Sequence, residues 1–137
     1  LHEQVIGGIY FQGKTLKERS GVTNLSFDYP SDGLKPFPSP FSLVWDGLLQ
    51  IDSGGIYDFS MISDDGSWLF IDDQIVIDNS GLHQAEEKKV KVFLNSGLHK
   101  IKIKYFDHHG GAVFSLKWRV PGGDWSDIPP VSLLLKG

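Results

Sequence analysis

The densest group of reactive side chains in this 137-residue sequence is Ser63-Asp64-Asp65-Gly66-Ser67. Two adjacent carboxylates repel each other unless a cation or hydrogen-bond donors neutralise them. Calcium takes several oxygen ligands, and carboxylates and loop carbonyls both supply them. The spacing therefore allows a calcium site. It equally allows a turn in which an Asp side chain accepts hydrogen bonds from backbone N–H groups.

The same carboxylates are poorly placed for catalysis. Glycoside hydrolysis requires two carboxyl groups flanking the scissile bond at roughly 5–9.5 Å, and neighbours on one turn do not flank a bond. The sequence nominates no second carboxylate for such a pair. It also has no local signature of a Ser-His-Asp or Cys-His arrangement and no phosphate-binding loop. We therefore expect no catalytic residues and a domain that is not an enzyme by itself.

Histidines form a second group, at His108-His109-Gly110-Gly111. Imidazole binds zinc or copper well, but neighbouring residues on an extended strand point to opposite faces and seldom share one ion. An exposed loop tip is the better interpretation of this pair. His83, in Gly81-Leu82-His83, is expected to be a hydrogen-bonded structural histidine rather than a base.

The elements that must position these residues are predicted to be short strands. Apolar and polar residues alternate with period 2, which is typical of half-buried antiparallel strands. Turn signals rich in Gly, Asn and Pro separate the alternating segments. The strands are predicted at residues 8–11, 42–51, 56–62, 68–71, 75–78, 90–94, 99–106 and 113–120, with 68–71 and 75–78 forming a hairpin.

Two other segments interrupt this pattern. The Pro-rich residues 29–40 predict an ordered surface loop, because closely spaced prolines cannot lie in a central strand. Residues 15–20 are expected to form a helical turn. Many short strands without crossover helices favour a sandwich or a barrel. The fold class is predicted to be all-β, a single jelly-roll-like antiparallel β-sandwich domain over residues 1–137.

The composition limits the function. The formal net charge of −4 argues against a general nucleic-acid binder, which is normally basic. The absence of cysteine excludes disulfide scaffolds and thiolate zinc sites. No segment approaches the ~20 apolar residues that span a membrane, so no membrane insertion is expected. Because the chain starts at Leu1, we expect it to be a piece excised from a longer precursor.

Exposed aromatic and basic side chains are the remaining candidates for binding. If Leu69 and Ile71 face the core, Trp68 and Phe70 point outward, where they could stack on sugars or seal a domain contact. The alternative is that the Pro-rich loop covers them as part of the core. A set of cations would share one outer face if their strands lie in one sheet, and these could attract acidic glycans or simply keep the sheet soluble. They are Lys89, Lys91, Lys102, Lys104, Lys117 and Arg119.

Several blocks in a fixed order resemble the PA-fourteen domain family, named after the protective-antigen toxin component. The central blocks are residues 55–59 (Gly-Ile-Tyr-Asp-Phe), 63–72 (Ser-Asp-Asp-Gly-Ser-Trp-Leu-Phe-Ile-Asp) and 76–79 (Val-Ile-Asp-Asn). The resemblance continues through residues 81–83, 97–101, 118–122 and 128–129, and earlier through 8–11 and 45–47. It covers nearly the whole chain.

The resemblance implies a β-sandwich of secreted or surface proteins, among them glycosidases, adhesins, proteases and toxins. It implies that Asp64 and Asp65, joined by a cis peptide bond, hold a calcium ion that binds sugar hydroxyls. Further ligands come from a loop matching residues 107–112, often with an amide side chain. This chain has no amide there, so Asp107 is expected to take that place. The hairpin at Asp72 also has Asp where the family often has Gly.

The sequence is therefore interpreted as a non-catalytic carbohydrate-binding module with calcium as its expected cofactor. Asp64, Asp65 and Asp107 would hold the metal, and Trp68, His108 and His109 would contact the sugar together with Asp64 and Asp65. The partners are a glycan and other domains of a secreted hydrolase or adhesin, and the location is extracellular, cell-surface or periplasmic. The alternative is a structural spacer that shapes or docks onto a neighbouring catalytic domain without binding a ligand.

Overall fold

The chain forms two antiparallel β-sheets in a computed structural model, which describes residues 1–8, 11, 13–29, 40–108 and 111–135. A short 3-10 turn, Pro130–Ser132, precedes the last strand. The described strands, in chain order, are β1 (His2–Gly7), β2 (Thr15–Ser20), β3 (Ser26–Tyr29), β4 (Phe41–Ile51), β5 (Gly55–Asp64), β6 (Ser67–Ile71), β7 (Gln74–Asn79), β8 (Glu86–Leu94), β9 (Gly97–Asp107), β10 (Ala112–Arg119), β11 (Trp125–Asp127) and β12 (Leu133–Leu134).

The larger sheet has seven strands in the order β2-β1-β4-β9-β6-β7, with β12 beside β4. The smaller sheet has five in the order β11-β10-β5-β8, with β3 beside β10. The strands pair antiparallel throughout both sheets, so each sheet can bury one face and leave the other in water. The prediction of an all-β antiparallel sandwich is confirmed.

The core lies between the two sheets and follows the alternation of the sequence. On β9, Ile101, Ile103 and Tyr105 are at most 1% exposed, while the intervening lysines point outward. The ring of Tyr105 meets Phe114 of the facing sheet edge-on, with centroids 5.6 Å apart. Each fully buried side chain of this size contributes about 1.5–3 kcal/mol, which makes this interior the main source of stability. Val120, the last residue of the strand predicted at 113–120, follows the end of β10 and is 37% exposed.

Most strand predictions are confirmed. Residues 42–51 lie in β4, 56–62 in β5, 90–94 in β8 and 99–106 in β9. The hairpin forms from β6 and β7. Its turn residues Asp72 and Asp73 have φ angles of 51° and 65°. Two consecutive positive φ angles define a type I′ turn, whose twist matches that of the two strands it joins. Asp tolerates this conformation better than most residues.

The prediction of a helical turn at residues 15–20 is wrong, because Thr15–Ser20 is strand β2. It pairs with β1 at the edge of the larger sheet, and all six of its residues are exposed. Because every residue of this edge strand stays exposed, the strand carries no apolar alternation for a sequence analysis to find.

The first strand was predicted too late, at residues 8–11. The strand is β1, which ends at Gly7, and both Gly8 and Phe11 lie outside any strand, while residues 9 and 10 lie outside the described part of the chain. Its inward positions include Glu3, which is 1% exposed and accepts hydrogen bonds from Trp45 Nε1 (2.8 Å) and Arg19 Nε (2.5 Å). A buried carboxylate breaks the apolar pattern. Of the predicted loop at 29–40, residues 30–39 lie outside the described part of the chain.

The cations expected to share one face are divided between the two sheets. Lys102 and Lys104 lie on β9 of the larger sheet, whereas Lys89 and Lys91 on β8 belong to the smaller one. Lys117 and Arg119, on β10, also belong to the smaller sheet. The six cations therefore do not share one outer face, because their strands do not lie in one sheet.

Candidate functional site

Three aspartates meet at one edge of the sandwich. Asp64 is the last residue of β5 in the smaller sheet, and Asp107 is the last residue of β9 in the larger one. The two strand ends are tied together by backbone hydrogen bonds, from Asp65 N to Phe106 O (3.2 Å) and from Phe106 N to Gly66 O (3.0 Å). As a result, one carboxylate oxygen from each of the three aspartates lies within 4.8 Å of the others.

Backbone donors fix the Asp65 carboxylate, which is buried. Its Oδ1 accepts a hydrogen bond from His83 N at 3.2 Å, and its Oδ2 accepts one from His108 N at 2.8 Å. The Tyr105 hydroxyl donates to the Asp64 carbonyl oxygen. The peptide bond between Asp64 and Asp65 is cis, as the resemblance implied. Donors from two loops and one strand thus position the aspartate pair.

The carboxylate arrangement fits a calcium ion. Calcium–oxygen distances are about 2.3–2.6 Å, so two ligands of one ion are separated by at most about 4.6–5.2 Å. The 4.8 Å spread of the cluster is within that limit. Asp65 and Asp107 are buried while Asp64 is half-exposed, so the cluster reaches solvent on one side. Three carboxylates this close repel each other strongly unless a cation lies between them.

Gly66 is required by the close packing of this edge. A Cβ atom at Gly66 would lie 2.4 Å from Cε1 of the Phe106 ring and 3.0 Å from the Gly81 carbonyl oxygen. Phe106 is fully buried and packs against Trp68, so its ring has little room to move aside. The glycine therefore lets the chain after the aspartate pair pass directly over β9.

Trp68 is half-buried on the outer face of the larger sheet, next to this edge. Its ring lies 5.9 Å from the Phe106 ring and 5.9 Å from the Phe11 ring, measured between centroids. The inward neighbours Leu69 and Ile71 are 0% and 3% exposed, as the alternation predicted. Trp68 and Phe70 therefore point outward, and Phe11 packs against one of them. A role for Trp68 in sugar binding stays a prediction.

A protein-family model described as the PA14 domain matches residues 4–132. The chain belongs to the PA14 (PA-fourteen) domain family. PA14 domains are generally non-catalytic binding modules, and this domain is a module of that kind. In the described part of the chain, no helix has the length and apolar character needed to cross a membrane.

Proteins similar to this PA14 domain include an anti-sigma factor in sequence and an adhesin in fold. The anti-sigma-I factor RsgI3 of Acetivibrio thermocellus is 29% identical over 94 residues, which cover 68% of this chain and 15% of that protein. A solved anti-sigma factor domain-containing protein is 22% identical with a TM-score of 0.89, covering 100% of this chain and 48% of the other. The epithelial adhesin 9 A domain of Candida glabrata, solved with Galβ1-3GlcNAc, is 14% identical with a TM-score of 0.81, covering 98% and 88%. The chain thus spans about a seventh to a half of the anti-sigma relatives.

His108 of this PA14 domain lies beside the aspartate cluster. His108 is exposed, and its backbone N–H binds Asp65. His109, expected to contact sugar, lies outside the described residues. Among the residues that are described, the three aspartates form the one group of His, Cys, Asp and Glu with metal-binding geometry, and no histidine belongs to it.

His83 is a hydrogen-bonded histidine, as predicted. Its ring Nδ1 lies 2.7 Å from Gln84 O and its Nε2 lies 2.9 Å from Asn79 O. Burial lowers the pKa of His83, but the hydrogen bonds to Asn79 and Gln84 outweigh that effect and leave the pKa above its ordinary value. The His83 ring thus fixes its loop in place, and the backbone N–H of His83 in that loop donates to Asp65.

Sequence reasoning missed the buried polar network behind the cluster. Ser63 Oγ and Ser67 Oγ are 2.6 Å apart, and Asn79 Nδ2 donates to Ser63 Oγ (3.2 Å) and to Glu86 O (2.9 Å). The signal that could have drawn attention to Asn79 is a repeat. Asn-Ser-Gly-Leu-His occurs at residues 79–83 and again at 95–99.

Proposed function

We propose that this PA14 domain is a carbohydrate-binding module in which Asp64, Asp65 and Asp107 hold a calcium ion. The observation that carries the proposal is the cluster of three carboxylates within 4.8 Å at an edge that reaches solvent. A cluster used only as a turn needs no third carboxylate from a strand of the other sheet. Asp107 is that third residue, and it is fully buried beside the pair.

Each residue has a distinct role in the proposed site. The backbone N–H groups of His83 and His108 orient Asp65, while the Tyr105 hydroxyl holds the Asp64 backbone. When bound, calcium would supply open coordination positions for sugar hydroxyls. Trp68 and the histidines at 108 and 109 would then contact the sugar ring, because amphipathic aromatic side chains pack on its apolar face.

The wider context supports display of the domain outside the cell. The adhesin with the same fold was solved with a galactoside bound, which shows what that protein binds. The anti-sigma relatives are longer than this chain, so we propose that this domain serves a larger protein with other domains. In that arrangement the domain binds an extracellular glycan, and its parent protein uses the binding event.

Isothermal titration calorimetry tests the proposal on the isolated domain. Calcium should bind with a stoichiometry of one, and Asp65→Asn and Asp107→Asn should each weaken binding by at least tenfold. Asp124→Asn is the matched control, because Asp124 is an exposed aspartate outside the cluster. A glycan screen with calcium or with chelator follows. If calcium binds neither the domain nor the control variant, or if glycans bind equally well in chelator, the proposed mechanism is wrong.

A structural role is the second candidate, favoured by an exposed apolar pair. Ile56 and Phe93 lie opposite each other on β5 and β8 and are 56% and 65% exposed. Such a pair suits packing against a neighbouring domain. Under this alternative, Phe93→Ser lowers the unfolding midpoint of a neighbouring domain in the full-length protein, while the isolated domain keeps its own midpoint.

A further inference from the structure

The outer face of the smaller sheet carries an aromatic ring surrounded by cations, far from the aspartate cluster. Four residues form a row across neighbouring strands. Trp125 of β11 lies opposite Arg119 of β10, Arg119 lies opposite Asp58 of β5, and Asp58 lies opposite Lys91 of β8. Lys89 occupies the same face of β8 two residues earlier. The row borders a surface cleft of about 340 Å³.

Asp58 organises the cations of this cleft. Its side chain is only 10% exposed, and its carboxylate accepts hydrogen bonds from Lys91 Nζ at 3.0 Å and Arg119 Nε at 2.7 Å. The hydrogen bonds from Lys91 and then Arg119 hold the pKa of Asp58 below its ordinary value, so the group stays charged. One buried carboxylate thereby fixes the head groups of two cations that remain partly in solvent, Lys91 at 70% and Arg119 at 39% exposure.

Trp125 forms the wall of the cleft. It is 36% exposed, Lys89 Nζ lies 5.5 Å from its ring centroid, and Arg119 Cζ lies 5.2 Å from it. Glu87 Oε1 lies 3.9 Å from Lys89 Nζ, and Glu87 Oε2 accepts a hydrogen bond from Ser60 Oγ at 2.5 Å. The lining of the cleft therefore has three positive charges against the one negative charge of Asp58, on a chain whose net charge is −4.

We propose that this cleft is a second binding site, for a saccharide residue that carries a carboxylate or sulfate group. The ring of Trp125 would stack on the apolar face of the sugar, and Lys89 and Arg119 would bind the anionic group through charge-assisted hydrogen bonds. The cleft volume suits a single sugar residue. A protein partner would instead need a contact of roughly 800 Å² on this side.

The proposed second site is separate from the aspartate cluster. Asp58 and Asp64 lie on the same strand six positions apart, which at about 3.3 Å per residue separates the two sites by roughly 20 Å. The inference rests on the proposed function in that the ligand is a saccharide. Binding at the second site requires neither calcium nor the three aspartates, so an experiment can disprove either site without disproving the other.

The test measures binding in chelator, where the calcium site cannot act. The probes are a glucuronate-containing oligosaccharide, a sulfated oligosaccharide, and the glucuronate oligosaccharide with its carboxyl groups reduced to alcohols. We expect at least one anionic probe to bind, to change tryptophan fluorescence, and to bind more weakly as salt rises. The neutral probe should bind at least tenfold more weakly. The two anionic probes together identify which anionic group the site prefers.

Variants separate a built site from general charge attraction. Trp125→Ala and Lys89→Gln should each weaken binding of the anionic probe about tenfold, and Trp125→Phe should retain binding but abolish the fluorescence change. Lys88→Gln is the matched control, because it removes the same charge from the adjacent residue on the other face of β8. Equal losses in Lys88→Gln and Lys89→Gln would overturn the proposal. Absence of binding by both anionic probes, or protection of Trp125 by self-association in sedimentation, would also overturn it.

Discussion

Removal of the Tyr105 hydroxyl should weaken both the fold and the aspartate cluster. Tyr105 is fully buried, and its hydroxyl donates to the backbone carbonyl of Asp64. Burial raises the pKa of this hydroxyl, so it remains a donor at neutral pH. In Tyr105→Phe the ring keeps its edge-on contacts with Phe27 and Phe114, at centroid distances of 5.3 and 5.6 Å. The variant therefore deletes the hydrogen bond to Asp64 and a backbone hydrogen bond with Val113, with little change in packing.

The magnitude follows from the buried acceptor. A buried carbonyl that loses its donor costs about 1–3 kcal/mol. In a domain of this size, each kcal/mol lowers the unfolding midpoint by roughly 4 °C. Because the Asp64 backbone is less firmly held, calcium binding should also weaken, by about tenfold, as is typical when a residue that orients a metal ligand is removed. Urea unfolding measures the first effect, and calorimetric calcium titration measures the second.

Tyr57→Phe is a control with the same chemistry elsewhere. Tyr57 is 3% exposed, and its hydroxyl donates to the Ser53 carbonyl oxygen at 2.6 Å, at the opposite end of β5 from Asp64. It should lose a similar amount of stability and keep its calcium affinity. If Tyr105→Phe retains the wild-type calcium affinity, Tyr105 does not position the aspartate pair. If it also retains full stability, the hydroxyl makes no useful hydrogen bond.

Three further predictions concern stability. Gly66→Ala should destabilise by about 1–3 kcal/mol in denaturant unfolding, since its Cβ would meet the Phe106 ring at 2.4 Å; wild-type stability would show that the ring moves aside freely. Burial lowers the pKa of His99, but the hydrogen bonds to Asp72 and Asn95 outweigh it, so the folded pKa lies above 6.5. The stabilisation from His99 is thus fully present below about pH 6.5 and is lost as the pH rises through the raised pKa. The difference in stability between the wild type and His99→Gln should therefore be larger at pH 5 than at pH 9. Asp73→Gly should stabilise the domain in thermal unfolding, because φ is 65° there and left-handed backbone costs an L residue about 1–2 kcal/mol. Glycine loses about 0.5–1 kcal/mol more chain entropy on folding, so the net gain is about 0.5–1 kcal/mol. A loss of stability would indicate that the Asp73 carboxylate contributes more than its backbone costs.

The core strands could be predicted because the sandwich imposes a simple rule on them. Each inward position must be apolar and each outward position is free to be polar, so β9 and β10 show their period directly in the sequence. Strand β2 is outside this rule, because both of its faces are exposed. Strand β1 follows it with Glu3 as an inward residue, whose carboxylate is satisfied by Trp45 and Arg19. Such partners come from distant parts of the chain, so the sequence alone does not reveal them.

The residues of the candidate site could be predicted only in part, for a similar reason. Asp64 and Asp65 attract attention because they are adjacent. Asp107 lies 42 residues after Asp65, and only the resemblance to a known family connected them. The donors to Asp65 are backbone N–H groups of His83 and His108. Every residue except proline offers such a group, so residue types cannot identify which of them will orient a carboxylate.

The repeated Asn-Ser-Gly-Leu-His segment shows where local sequence stops determining function. In both copies the histidine Nε2 lies within hydrogen-bond distance of the carbonyl oxygen of the asparagine four residues earlier, at 2.9 Å for His83 and 2.8 Å for His99. The five residues therefore make the same contact between histidine and asparagine twice, although Gly81–His83 lies in a loop and Gly97–His99 begins β9. What differs is the surroundings: the backbone N–H of His83 binds Asp65 in the candidate calcium site, whereas the ring of His99 binds Asp72 in a hairpin turn. The position of each copy in the fold, and not its sequence, decides that one serves the aspartate cluster and the other serves stability.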